Sequence, residues 1–253
     1  MLNQGKHKIL ENYICACDYE YVLFKTKQAI KNKRSLLISP IASQTLAIAK
    51  KDIQVKKALD KFDLLVPDSH WVMKSLNWIH KTRLKERLYG PDLMLKTCAL
   101  SEKKKWKIYL YGTNIDTLIK LKNKLLNLYP ELLIVKIDPS KYRDLTKKEL
   151  IDLQNNIKRG GTQIVFIAIG SPKQELLSVQ LANTNKGLNK VVIPVGAAFD
   201  FISGVKRQAP KWMQNTGFEW LFRLLFEPKR LWKRYLYCSA LFFLGVINQS
   251  HSH

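Results

Sequence analysis

The side chains best suited to acid–base chemistry lie in short polar stretches that each follow an apolar run. Asp63–Pro67 leads into Asp68-Ser69-His70-Trp71, which offers a carboxylate with an imidazole two residues on. A carboxylate held partly desolvated in a crevice rises above its ordinary pKa of about 3.9 and becomes a usable general base. Asp68 fits equally well as the N-cap of a helix beginning in the following VMKSLNWI segment. His70 reads either as a second base or substrate contact, or as an ordinary packed imidazole. Gln163–Ile169 leads into Gly170-Ser171-Pro172-Lys173-Gln174-Glu175. Helix-start amides beside Lys173 would cradle an anion, although a capping box from Ser171 to Gln174, with Pro172 at the first helical position, explains the same residues structurally. Two further stretches complete the set: Ser39-Pro40-Ile41-Ala42-Ser43 after Leu36–Ser39, and Gly196-Ala197-Ala198-Phe199-Asp200 after Val191–Val195.

Other chemistries lack their fingerprints. The chain has no G-x-G-x-x-G and no Walker A sequence, so neither phosphate grip is predicted and no cofactor is expected. It has no Asp-x-Asp pair to hold a divalent ion, and Cys15-Ala-Cys17 and His251-Ser-His253 lack the partner spacing of a zinc site, so no metal site is expected. A diphosphate leaving group would then have to be met by cationic side chains.

The elements that must position these groups alternate. Six apolar, β-rich runs, Leu36–Ser39, Asp63–Pro67, Trp106–Tyr111, Leu132–Ile137, Gln163–Ile169 and Val191–Val195, are separated by helical patterns. Alternation of this kind predicts βα units feeding a parallel sheet, and continuous apolarity predicts strands covered on both faces. Ile115–Tyr129 carries apolar residues at helical spacing with Pro130 as its stop, and Thr146 to Glu149 form a capping box. The predicted fold class is α/β, a Rossmann-like, mostly parallel sheet flanked by helices, with a C-terminal helical appendage. In an open parallel sheet, ligands bind beyond the carboxyl ends of the strands, where the four polar stretches fall.

Composition narrows the partners. The 253 residues contain 43 Lys plus Arg against 20 Asp plus Glu, a net charge of +23. With 46% apolar residues a full core forms, and 11 Gly and 9 Pro are too few for a collagen-like or low-complexity chain. Four cysteines do not make a disulfide framework and suit a reducing compartment. The first residues lack the apolar core of a signal peptide, and the longest apolar stretch, 235–247, is shorter than the roughly 20 residues of a spanning helix. A polyanionic partner is implied: nucleic acid, an anionic membrane face or a phosphorylated substrate. Near Lys206 the composition shifts, dividing the chain into residues 1–205, the Rossmann-like domain expected to carry the site, and 206–253, a basic appendage rich in Trp and Phe. Two helices split at Pro228 are expected there. The mixture fits a membrane-surface element, with about 1 kcal/mol per basic residue near an anionic leaflet, or an amphipathic pair docked on the core. Its apolar face would meet lipid, the core or a second copy in a homo-oligomer.

Together these stretches resemble one family. Val195-Gly-Ala-Ala-Phe-Asp-Phe-Ile-Ser-Gly-Val-Lys-Arg-Gln-Ala-Pro-Lys-Trp-Met-Gln214 and Gly217-Phe-Glu-Trp-Leu-Phe-Arg-Leu-Leu-Phe-Glu-Pro-Lys-Arg230 carry the likeness, supported by Ala168–Glu175, Glu86–Met94 and Tyr109–Gly112. The chain resembles the WecG/TagA/CpsF glycosyltransferases of bacterial envelope and exopolysaccharide synthesis. The resemblance implies an inverting, metal-independent transfer of an N-acetylhexosamine-type sugar, N-acetylmannosamine or its uronic acid, from a UDP-sugar to an undecaprenyl-diphosphate-linked acceptor. It implies Asp68 as the base and matches Ser39 and Gln174 to the family's substrate loops; His70, Gly170, Lys173, Gly196 and Asp200, read from the same strand-end stretches, are the further expected substrate contacts. Arg223 and Arg230, with Lys233 or Arg234, would close over the diphosphate. It also implies a cytoplasmic protein held peripherally at the inner face of the plasma membrane, with no nucleic-acid partner.

Two departures stand out. The loop after Asp68 is usually small and Gly-containing in this family but is Ser69-His70-Trp71 here, and the Asn usual after the first loop's Pro is Ile41. Bulk after Asp68 is expected to reshape the substrate pocket. The rival readings are a scaffold of a polysaccharide assembly complex that has lost catalysis, and a nucleic-acid-binding α/β protein.

Overall fold

The structure is a computed structural model that describes residues 1–182 and 188–251, apart from the side chains at 230 and 234. It opens with a hairpin, β1 (Asn3–Ile9) and β2 (Asn12–Cys17). The sequence-based expectation lacks this hairpin because its turn, Leu10-Glu11, has neither Gly nor Asn; Leu10 itself takes the left-handed φ of 53°. Then follow α1 (Tyr19–Lys31), β3 (Leu36–Ile41), α2 (Ser43–Ala49), α3 (Ile53–Leu59), β4 (Leu64–Pro67), α4 (His70–His80) and α5 (Gly90–Lys104). The middle of the chain is β5 (Lys107–Gly112), α6 (Ile115–Leu128), β6 (Leu133–Asp138), α7 (Lys147–Arg159), β7 (Ile164–Ala168), α8 (Lys173–Ala182), β8 (Val191–Pro194) and α9 (Ala198–Ile202). It ends in α10 (Lys211–Thr216), α11 (Glu219–Phe226) and α12 (Pro228–Ser250).

The six expected runs form one parallel sheet in the order β4-β3-β8-β7-β5-β6. Their apolar continuity has the anticipated cause, because alternate residues of one strand feed two cores. Ile108 and Leu110 of β5 join the cluster beneath α1, α5, α6 and α9, while Tyr109 and Tyr111 join the one beneath α2, α3, α4, α8 and α12. The result is a three-layer α/β fold that brings every strand's carboxyl end to one rim.

The appendage has three helices rather than two. Gly217, at φ 86°, caps α10, and Pro228 opens α12 at its first turn, so the apolar stretch 235–247 continues one helix. Leu231, Tyr235, Cys238, Phe242 and Val246 form its buried stripe, and the last three join the core cluster. Gln249 donates to the Lys8 carbonyl at 2.6 Å and accepts from the Leu10 amide at 2.8 Å, tying α12 to the hairpin. Among the described residues no helix is long and apolar enough to cross a membrane.

Candidate active site

The carboxyl-end rim encloses a cleft of about 870 Å³ to which all six strands contribute. Its walls include Pro40 near the end of β3 and Ala42 after it, Asp68 after β4, Thr113 after β5, Ser140 after β6, Gly170, Ser171, Lys173 and Gln174 after β7, and Gly196, Ala197 and Asp200 after β8. Glu219, Arg223, Glu227, Leu231 and Tyr235 of the appendage complete it. The sheet supplies the floor and the C-terminal helices supply one wall.

Asp68 is half-buried where β4 ends. It is not the cap of α4: Ser69 is, its hydroxyl accepting from the Val72 amide. The Asp68 carboxylate turns instead towards α5 and accepts from the Gly90 amide at 2.8 Å. Burial raises its pKa, against the pull of Arg87, the Gly90 amide and Arg223, while Glu219 pushes it further up. It is therefore a carboxylate more basic than a free aspartate, lining a cleft.

A polar network surrounds it. Arg87 donates through Nη1 to the Asp68 carbonyl at 3.2 Å and through Nη2 to Glu219 Oε2 at 2.6 Å, with its guanidinium 4.2 Å from the centre of the Tyr89 ring. The Tyr89 hydroxyl donates to Glu219 Oε1 at 2.9 Å and accepts from Gln208 at 3.0 Å. Burial opposes the charge on Arg87, but Glu219 and Asp68 hold its pKa above the ordinary value.

Among the described residues, four cations line the cleft. Arg143 is committed to Glu149 through two bonds of 2.7 and 2.8 Å, and Lys206 lies between Asp200 at 3.2 Å and Glu227 at 3.3 Å. Lys173 is exposed and only 3.8 Å from Asp144. Arg223 forms no ion pair among the described residues; burial opposes its charge, yet Tyr235, Glu219, Tyr89 and Asp68 hold its pKa up. The same strand-end cleft holds the buried amide of Gln174, which donates to Glu175 while its Oε1 has no partner. No group of three His, Cys, Asp or Glu converges among the described residues.

Residues 7–253 match the model of the glycosyl transferase WecG/TagA/CpsF family. The chain belongs to that family. A relative from Bacillus subtilis (strain 168), an N-acetylglucosaminyldiphosphoundecaprenol N-acetyl-beta-D-mannosaminyltransferase, is 29% identical over 217 residues, covering 85% of this chain and 81% of that protein. The protein is thus a glycosyltransferase.

In this glycosyltransferase Asp68, Gly170, Lys173, Gln174, Gly196, Asp200 and Arg223 line one cleft. Ser39 does not: β3 runs on to Ile41, so Ser39 lies inside the sheet, fully buried. His70 does not either. It packs under Gly217, where a Cβ would come within 3.1 Å of its ring, and burial followed by Lys74 and Arg87 pushes its pKa down. Lys233 is exposed, 5.4 Å from the centre of the Trp232 ring, and is not among the cleft residues. The side chains of Arg230 and Arg234 lie outside the described residues.

The departures also resolve differently from expectation. Trp71 meets Phe243 of α12 edge-on at 5.1 Å, so its bulk does not intrude on the cleft, and Ile41, fully buried at the end of β3, is not among the cleft residues. The expected capping box at Ser171 is absent too, because the Ser171 hydroxyl pairs with Thr45 at 2.7 Å and Gln174 turns to Glu175. Sequence reasoning passed over Arg87, Tyr89, Lys206 and Glu219. Their only signal is that all lie in stretches carrying the family likeness.

Proposed function

We propose that this glycosyltransferase moves an N-acetylhexosamine-type sugar, N-acetylmannosamine or its uronic acid, from a UDP-sugar to an undecaprenyl-diphosphate-linked acceptor. The transfer runs with inversion and without a metal. The observation that carries the reading is Asp68, a carboxylate made basic by burial, in the same cleft as the guanidinium of Arg223, which lies 5.7 Å from the centre of the Phe201 ring and forms no ion pair among the described residues. As the acceptor oxygen bonds to the anomeric carbon, the bond from that carbon to the UDP oxygen breaks and Asp68 takes the hydroxyl proton. Arg223 and Lys173 meet the charge developing on the diphosphate, and the free Gln174 Oε1 accepts from a sugar hydroxyl or amide. The relative's printed activity, transfer of N-acetylmannosamine to N-acetylglucosaminyldiphosphoundecaprenol, supports this choice of sugar and acceptor.

The appendage would hold the enzyme to the inner face of the plasma membrane. Leu236, Tyr237 and Leu244 are exposed on α12, with Lys229 and Lys233 near its start. Because Ile41 and Trp71 stay out of the cleft, the departures lend no support to an inactive scaffold. The test is UDP release from candidate UDP-sugars with a short lipid-diphosphate N-acetylglucosamine acceptor in the presence of a chelator. Asp68→Asn is expected to abolish release while UDP-sugar binding survives. Normal turnover by that variant, or no release with any donor, overturns the reading.

A further inference from the structure

The segment before α5 lies against the end of β4 and is stitched to it at three points. Leu88 donates to the Pro67 carbonyl at 2.8 Å, Arg87 to the Asp68 carbonyl and the Gly90 amide to the Asp68 carboxylate. Asp68 is thus held by backbone and side chain from one neighbouring segment. That segment is in turn gripped from the appendage, because Glu219 at the first turn of α11 binds Arg87 with one oxygen and Tyr89 with the other. Both partners of the ion pair are largely buried, with side-chain exposures of 13% and 12%, so their charge-assisted bonds are far less screened than a surface pair's.

We propose that Glu219 is a positioning residue, the latch through which docking of α11 fixes the Arg87–Gly90 segment and thereby sets the place and basicity of Asp68. Glu219 does not touch the sugar in this scheme; it acts through Arg87 and Tyr89. The groups facing Asp68 are Arg87 and the Tyr89 and Tyr19 phenols from the core, and Glu219 and Arg223 from α11. Removing the Glu219 charge takes away an anion that disfavours ionised Asp68, and leaves the charge of Arg87, still bonded to the Asp68 carbonyl, uncompensated beside it. Both changes act in the same direction, making Asp68 a weaker base.

Only the activity arm of the test rests on Asp68 being the base. By hydrogen exchange of the free enzyme, Glu219→Gln is expected to raise the rate in α11 about tenfold or more, the effect of losing one charge-assisted bond. Tyr89→Phe, which removes one donor and keeps both charges, should raise exchange to a lesser degree, and carries this arm if Glu219→Gln does not fold. In the pH profile of kcat/KM, Glu219→Gln should move the acid limb to lower pH, whereas Tyr89→Phe should leave it in place. A role in folding alone would lower activity at every pH without moving the limb. Unchanged exchange in α11, or an unmoved limb in Glu219→Gln, overturns the latch. If the wild-type enzyme releases no UDP, the glycosyl-transfer reading falls while the exchange arm still decides the latch.

Discussion

At the scale of the residue, the group proposed as the base is one whose charge the fold disfavours. Burial raises the Asp68 pKa, so the folded state binds its proton more tightly than the unfolded chain does. The contribution of this group to stability is therefore greatest below the unfolded value of about 3.9, and is lost as pH rises through the folded value. Asn at this position carries no charge, and its side-chain oxygen can still accept from the Gly90 amide. Asp68→Asn should melt about 2–4 °C above the wild type at pH 8, the response of a chain this size to roughly 1 kcal/mol, and converge on it near pH 4. A lower melting temperature at pH 8 would show that the ionised carboxylate is a net stabiliser. The place of Asp68 on the strand-end cleft was legible in the sequence because a strand end is a local property. The Arg87–Glu219 pair was not, since its partners are 132 residues apart in a chain where most charges are solvated.

At the scale of the element, α12 has two faces with different work. Phe242 is fully buried in the core cluster, while Leu236 is 67% exposed. Phe242→Ala should cost about 3–5 kcal/mol in urea denaturation and loosen the wall of the cleft, whereas Leu236→Ala should stay within about 0.5 kcal/mol. Equal effects would mean that the buried stripe does not hold the helix. Six strands were readable because parallel strands covered on both faces leave continuous apolar runs. The β1–β2 hairpin was not, because most of β1 is polar and exposed and its turn lacks the usual residues. Ser39 was misplaced for a related reason: local pattern marks where a strand runs better than where it stops, and two more residues of β3 carry that side chain below the rim.

At the scale of the whole molecule, the excess of positive charge and the exposed apolar side chains of α12 favour the same kind of surface. A net charge of +23 attracts any polyanion, but the aliphatic Leu236, Leu244 and Ile247 on one helix gain nothing from nucleic acid and gain burial in a lipid interface. Charge and apolar area also respond differently to salt, because exposed charges are screened within about 8 Å at physiological ionic strength while burial of hydrocarbon is not. Sedimentation with phosphatidylcholine vesicles containing increasing phosphatidylglycerol should therefore show binding that rises with the anionic fraction and weakens, without vanishing, as salt is added. The double variant Leu236→Ser/Leu244→Ser should lose the salt-resistant part and keep the salt-sensitive part, with little change in stability. Binding to neutral and anionic vesicles alike would remove the electrostatic half of this account. If the double variant bound as the wild type does, the outer face of α12 would not be the part that meets lipid.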